Sequence, residues 1–136
     1  MKIEAIQNLI NTQPAWAYYY ARDIIQDRWP EGELTILTDT GWACNYAKDV
    51  VKGRWPEAEP IILTDKRWAF FYARDIIEDR WPEAEPIILA DPQWAYHYAK
   101  DVIKGRWPEA EPIISTDPDS EWAYLYNKDV AQQESE

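Results

Sequence analysis

Apolar and polar positions follow one another along the chain in two recurring arrangements, each opened by a tryptophan. In "WAFFYARDIIEDR" (68–80), Trp68, Ala69, Tyr72, Ala73, Ile76 and Ile77 share one broad arc at about 100° per residue, which predicts an amphipathic helix. Its start is marked in the copy "DPQW", where Asp91 accepts from first-turn N–H groups and Pro92 suits the first helical position. Its end is marked by Gly53 and Gly105, expected in the left-handed C-terminal conformation, with Asp27 and Asp79 standing there in the other copies. The second arrangement is "RWPEAEPII" (54–62). Trp55 precedes Pro56, so it is pushed out of the α region and sits between helices. Pro56 then opens a short helix with Ala58, Ile61 and Ile62 on one side and Glu57 and Glu59 near the positive end of the dipole. Pro60 deletes a hydrogen bond inside that helix, so the spacing predicts a short, partly 3₁₀ element.

The two arrangements form a tandem array. Tryptophan recurs at 16, 29, 42, 55, 68, 81, 94 and 107, a constant step of 13, and only Trp122 falls two residues late. The full unit is therefore 26 residues, with copies at 16–41, 42–67, 68–93 and 94–121 and a half copy at 122–136. A helix pair with a tight turn cannot bury an apolar face alone, so the expected fold is all-α: an α-solenoid of stacked two-helix repeats forming a single domain over 1–136. Residues 1–15 place Leu9 and Ile10 in register with Ile61 and Ile62, which predicts a capping helix at the N-terminus. The final copy substitutes Asn127 and Ala131 for apolar positions and then runs polar to Glu136, which reads as a closing cap. Copies one and three share "RDII" whereas two and four share "KDV" and "KGR", so a 52-residue pair was itself duplicated.

The unit W-A-x-x-Y-A-[RK]-D-[VI]-[VI]-x-[GD]-R-W-P-E-[AG]-E, spanning residues 16 to about 131, resembles the tandem Trp/Tyr-rich repeats of uncharacterised proteins from tailed bacteriophages. The resemblance implies a phage or bacterial origin, a helical stack and action in the cytoplasm of a bacterial or phage-infected cell. It transfers no catalytic residue.

Composition sharpens the picture in three ways. Nine Trp, nine Tyr and two Phe supply the apolar bulk, each large ring burying roughly 150–250 Å² when enclosed, so the tryptophans and inner tyrosines are assigned to the core. Cys44 is the only cysteine, which excludes an intramolecular disulfide and points to a reducing compartment; no signal peptide or membrane span is expected from "MKIEAIQNLINTQPAW". A net charge of −11 disfavours nucleic acid and anionic membranes as direct partners and favours a protein with a basic surface. Whether the chain is a monomer or a homo-oligomer is left open by these features.

Chemistry-bearing constellations are sparse. An aspartate follows each first-half Trp by seven residues (Asp23, Asp49, Asp75, Asp101, and Asp129 in the last copy); one carboxylate per copy cannot hold a hard cation, so a structural pair with Arg28, Arg54, Arg80 and Arg106, or a bond to an indole N–H, is expected. "DPDSE" (117–121) places Trp122 at the glycine position of a calcium loop and Lys128 at its bidentate glutamate position, so helix capping explains it better. Glu57 and Glu59 point apart, and His97 has no nucleophile in a triad pattern. No catalytic residue, metal site or cofactor is expected, and the protein is read as no enzyme.

Two rows of residues are candidates for binding a protein. The first is acidic: Glu31, Glu33, Glu57, Glu59, Glu83, Glu85, Glu109 and Glu111, in second halves that carry −12 together against +3 for the four full first halves. At roughly 10 Å per helix layer, twelve charges over about 40 Å match the charge spacing of one DNA strand. The second row varies while its neighbours stay fixed: Tyr19, Asn45, Phe71, His97 and Leu125, three after each first-half Trp. The leading expectation is a non-enzymatic scaffold that binds a protein through its acidic face. The alternative is a phage-type inhibitor, of the anti-defence or anti-CRISPR kind, whose acidic face imitates nucleic acid and blocks a basic cleft.

Overall fold

The computed structural model describes residues 2–132, with side chains from residue 4 onward; the polar run Gln133–Glu136 lies outside the described residues. All regular structure among these residues is helical. The chain divides into two compact units, Met1–Ile62 and Leu63–Glu136, with the cut inside the copy at 42–67. No described helix is long and apolar enough to cross a membrane.

In the first unit α1 (Lys2–Thr12) is followed by α2 (Pro14–Tyr19), α3 (Pro30–Ile36), α4 (Thr40–Tyr46) and α5 (Glu59–Ile62). Helix α2 packs on α1, α3 and α4, and Ile10 of α1 is buried as Ile62 is, while Leu9 is exposed. In the second unit α6 (Lys66–Tyr72), α7 (Glu85–Leu89), α8 (Pro92–Tyr98), α9 (Glu111–Ile114) and α10 (Glu121–Tyr126) repeat the scheme: α6 packs on α7 and α8, and α8 on α9 and α10. Small residues permit the close approach, since Ala69, Ala73, Ala95 and Ala99 are fully buried beside Tyr72 and Tyr98.

The caps follow the sequence. Asp39, Asp65 and Asp91 accept from first-turn N–H groups of α4, α6 and α8, and Ser120 from "DPDSE" does the same for α10. The second halves also behave as Pro60 predicts: Pro56–Ala58, Pro82–Ala84 and Pro108–Ala110 are 3₁₀ turns leading into α5, α7 and α9. The first copy is the control, because Leu34 replaces that proline, keeps its N–H, and α3 is α-helical from Pro30 to Ile36.

The first halves differ from expectation. The first copy leaves α geometry at its inner tyrosine and the others just after it, and each runs through a π-helical segment: Tyr20–Ile25, Ala47–Val51, Ala73–Ile77, Ala99–Ile103 and Asn127–Ala131. In four copies the widened turn closes on a residue five positions back, as where Lys52 N–H bonds Ala47 O at 2.8 Å. The left-handed residues that end these segments are Gln26, Lys52, Glu78 and Lys104, at φ from 59 to 61°. Gly53 and Gly105 therefore stand one place beyond the left-handed position, neither has positive φ, and the glycine assignment is corrected. The extra residue in the wide turn moves the reversal forward by one.

Candidate functional site

The phrase "RWPEAEP" folds into a clamp. After the left-handed residue the chain is extended through Trp81 (φ −123°, ψ 87°), so Arg80 doubles back on the helix that follows. Its Nε and Nη2 each donate to the Glu85 carboxylate at 2.9 Å. Tyr98, from the next copy, completes the arrangement: its hydroxyl accepts from Trp81 N–H at 2.8 Å and donates to Glu85 Oε2 at 2.7 Å. The same set joins Arg28, Glu33, Tyr46 and Trp29, and again Arg106, Glu111, Tyr126 and Trp107. Arg54 clamps Glu59 in the same bidentate way.

This pairing overturns the expected one. Arg28, Arg54, Arg80 and Arg106 pair with the second glutamate of each phrase, not with the aspartate row. The aspartates have other partners: Asp49 accepts from Tyr18 and Asp129 from Tyr96, both at 2.5 Å, while Asp23 and Asp75 take the adjacent Arg22 and Arg74. Trp81 Nε1 is buried and receives no carboxylate.

Titration follows the geometry. Burial raises the Glu33 and Glu85 carboxyls, but the bonds from their arginine and tyrosine outweigh it and hold both below the usual range. Arg106 acts first on Glu111, with the same net result. Burial and the neighbouring carboxylate push the tyrosine hydroxyls upward, Tyr126 to about 12.

The eight glutamates thus separate into two kinds. Glu33, Glu59, Glu85 and Glu111 are half-buried and bound to arginine, whereas Glu31, Glu57, Glu83 and Glu109 are exposed at the start of their helices and make no ion pair among the described residues.

The tryptophans separate as well. Trp55, Trp81 and Trp107 are fully buried, in line with a core role, but Trp42, Trp68, Trp94 and Trp122 are only half-buried and Trp16 is 53% exposed. Assigning all of them to the core is therefore corrected. First-half tryptophans alternate with the variable row to make an aromatic ribbon: in the second unit Trp68, Phe71, Trp94, His97 and Trp122 follow one another at centroid distances of 5.5–6.1 Å. In the first unit Tyr19 meets Trp42 at 5.7 Å. Asn45 and Leu125 occupy the same row, half-buried. Burial among these rings lowers the pKa of His97, with Asp101 opposing.

Compared with protein-family models, curated proteins and solved structures, the chain matches none.

The acidic row and the variable row were both legible as recurring positions. The clamp was not, because Arg and Glu five apart face one another only across an extended tryptophan and the first turn of the helix that follows it. Its one sequence signal was the joint recurrence of Arg, Glu and inner Tyr.

Proposed function

We propose that the protein is a non-enzymatic helical-repeat scaffold, an α-solenoid of stacked 26-residue copies closed by a helix at each end, that binds a protein of basic surface. The contact residues are Glu31, Glu57, Glu83 and Glu109. The observation supporting this is the division of labour within each phrase: one glutamate is neutralised by arginine in the fold, and the other is left exposed at the same place in every copy. The exposed glutamate sits at a helix start without an ion pair among the described residues, so its charge is not consumed by the fold in that way, and repeated like charges attract a cationic surface. Tyr19, Asn45, Phe71, His97 and Leu125, each three residues after a first-half tryptophan, select among such partners. The repeat motif supports a phage or bacterial origin and a cytoplasmic site of action.

Imitation of nucleic acid draws on the same charges but needs all twelve of them. Four are spent on arginines, which thins the strip below the spacing of a DNA strand and favours the protein partner.

The test compares capture of bacterial proteins by the native chain, by a variant with Glu31→Gln, Glu57→Gln, Glu83→Gln and Glu109→Gln together, and by native chain with added DNA. The expected partner is lost from the quadruple variant, elutes as salt rises, and is indifferent to DNA. Retention by the quadruple variant refutes the acidic contact, and displacement by DNA moves the assignment to nucleic-acid imitation.

A further inference from the structure

Consecutive copies within each unit are joined by a second lock besides the clamp. The residue two after each first-half Trp lies against the Trp of the next copy: Tyr18 on Trp42 at 5.3 Å, Phe70 on Trp94 at 5.5 Å and Tyr96 on Trp122 at 5.9 Å. Where that residue is tyrosine its hydroxyl donates to the aspartate seven beyond the receiving Trp, Tyr18 to Asp49 and Tyr96 to Asp129. A basic residue supports the bond, as Lys100 Nζ approaches Asp129 at 4.0 Å. Locked in this way, Tyr18 and Tyr96 are only 4% and 3% exposed.

The structure carries both halves of this lock open. Tyr124 is the tyrosine of the last copy and is 65% exposed, with Lys128 at the position of Lys100. Trp16 and Asp23 are the receiving Trp and aspartate of the first copy; both are exposed, and no tyrosine hydroxyl reaches Asp23 among the described residues, its carboxylate being held by the adjacent Arg22. Around Trp16 the receiving side continues as an apolar groove of about 280 Å³ lined by Ile6, Ile10, Tyr19 and Ile24. Ile24 is 68% exposed, although its counterparts Val50, Val102 and Val130 are buried and Ile76 is half-buried.

We propose that this groove receives a second copy of the chain, head to tail, with the α10 segment Glu121–Ala131 of one molecule lying on α1 and α2 of the next. Tyr124 stacks on Trp16 and donates to Asp23, Lys128 approaches Asp23, and Ile24 is covered. Two features single out this occupant: Tyr124 and Lys128 supply the ring, the donor and the cation that Tyr96 and Lys100 supply to Trp122 and Asp129 inside the second unit. The contact is heterologous, so it propagates into open chains or closes into a ring. It is independent of the basic partner, and the two respond oppositely to salt. Each molecule carries −11, so screening strengthens self-association while it weakens an acidic-face contact.

Sedimentation velocity from micromolar to millimolar concentration, at low salt and at about 0.5 M salt, tests the proposal. Average mass is expected to grow with concentration past a dimer, and more so at high salt. Tyr124→Glu and Trp16→Glu, each with unchanged far-UV circular dichroism, weaken association by at least about tenfold, a loss of about 1.4 kcal/mol. Ile24→Glu is a second receiving-side variant at a more exposed position. An equimolar mixture of Tyr124→Glu and Trp16→Glu forms a dimer and nothing larger, because one intact donor end meets one intact receiving end. A monomer at every concentration, association that ignores both substitutions, or a mixture that stays monomeric overturns the proposal.

Discussion

Replacing Tyr98 by phenylalanine isolates the clamp from the packing around it. The ring is fully buried and would stay, so the change creates no cavity and removes only the hydroxyl. Two bonds go with it: the one accepted from Trp81 N–H at 2.8 Å and the one donated to Glu85 at 2.7 Å. Glu85 keeps both bonds from Arg80, so its charge stays paired. The Trp81 N–H, which belongs to a buried residue, is left without an acceptor. A lost bond to a charged group and a stranded buried donor together cost about 2–4 kcal/mol. For a chain of this length that corresponds to a fall in Tm of about 8–16 °C. Tyr20 provides the control, because it occupies the same position in the first copy and is half-buried against Trp29 at 4.8 Å. Its hydroxyl makes neither bond, so Tyr20→Phe is expected to change stability by less than about 0.5 kcal/mol. Urea unfolding followed by circular dichroism measures both. Equal losses at 98 and 20 would falsify the claim that the hydroxyl bridges rather than the ring carry the difference.

Three further expectations follow from the same geometry. Lys52 holds φ 61° with a side chain, so Lys52→Gly is expected to stabilise by about 0.5–1 kcal/mol, whereas Gly53→Ala, with open space around the added methyl, is neutral or slightly stabilising; urea midpoints separate the two. Leu34→Pro recreates the proline of the other copies on an 80% exposed side chain, so it is expected to cost less than about 1 kcal/mol rather than the roughly 3 of an ordinary helix interior, as read from thermal melts. Stability against pH has a limit at each end. Glu33, Glu85 and Glu111 are depressed in the fold, so their contribution is complete above the ordinary value of 4.5 and is lost as pH falls through their lower values. Tyr126 is raised from 10.0, so its contribution is complete below 10.0 and disappears as pH climbs toward about 12. Urea midpoints that stay flat across both flanks would contradict the clamp.

Which parts of this architecture the residues announce depends on the range of the interaction. Local chemistry was legible: Asp91 before Pro92 capped a helix, and Pro60 forced a 3₁₀ turn that Leu34 avoided. Features one step removed were not. The wheel drawn at 100° per residue ran straight through Ala73–Ile77, where the backbone widens, so the left-handed position was misplaced from Lys52 to Gly53. The partner of Arg80 was misread for a related reason, because a turn and an extended residue intervene before Glu85. Burial of the tryptophans depended on contacts that spacing does not show: Trp81 stacks on Tyr72 and has its N–H covered by Tyr98 of the next copy, while Trp68, beside Phe71, is only half-buried. Identical spacing gave them identical roles on paper.

The clamp also bears on where the molecule can be cut. Read by its letters, a copy runs from one first-half tryptophan to the next. Yet Arg80, Trp81 and Glu85 are closed by Tyr98, and Arg106, Trp107 and Glu111 by Tyr126, each time from the copy that follows. The indivisible piece is therefore 80–98 or 106–126, straddling the written border. A truncation or graft made in front of Trp94 strands a tyrosine on one fragment and its carboxylate on the other. One made inside the first-half helix beyond the tyrosine keeps the clamp whole but severs the wide turn. The unit that recurs in the letters and the unit that the clamp ties together are offset by about half a period.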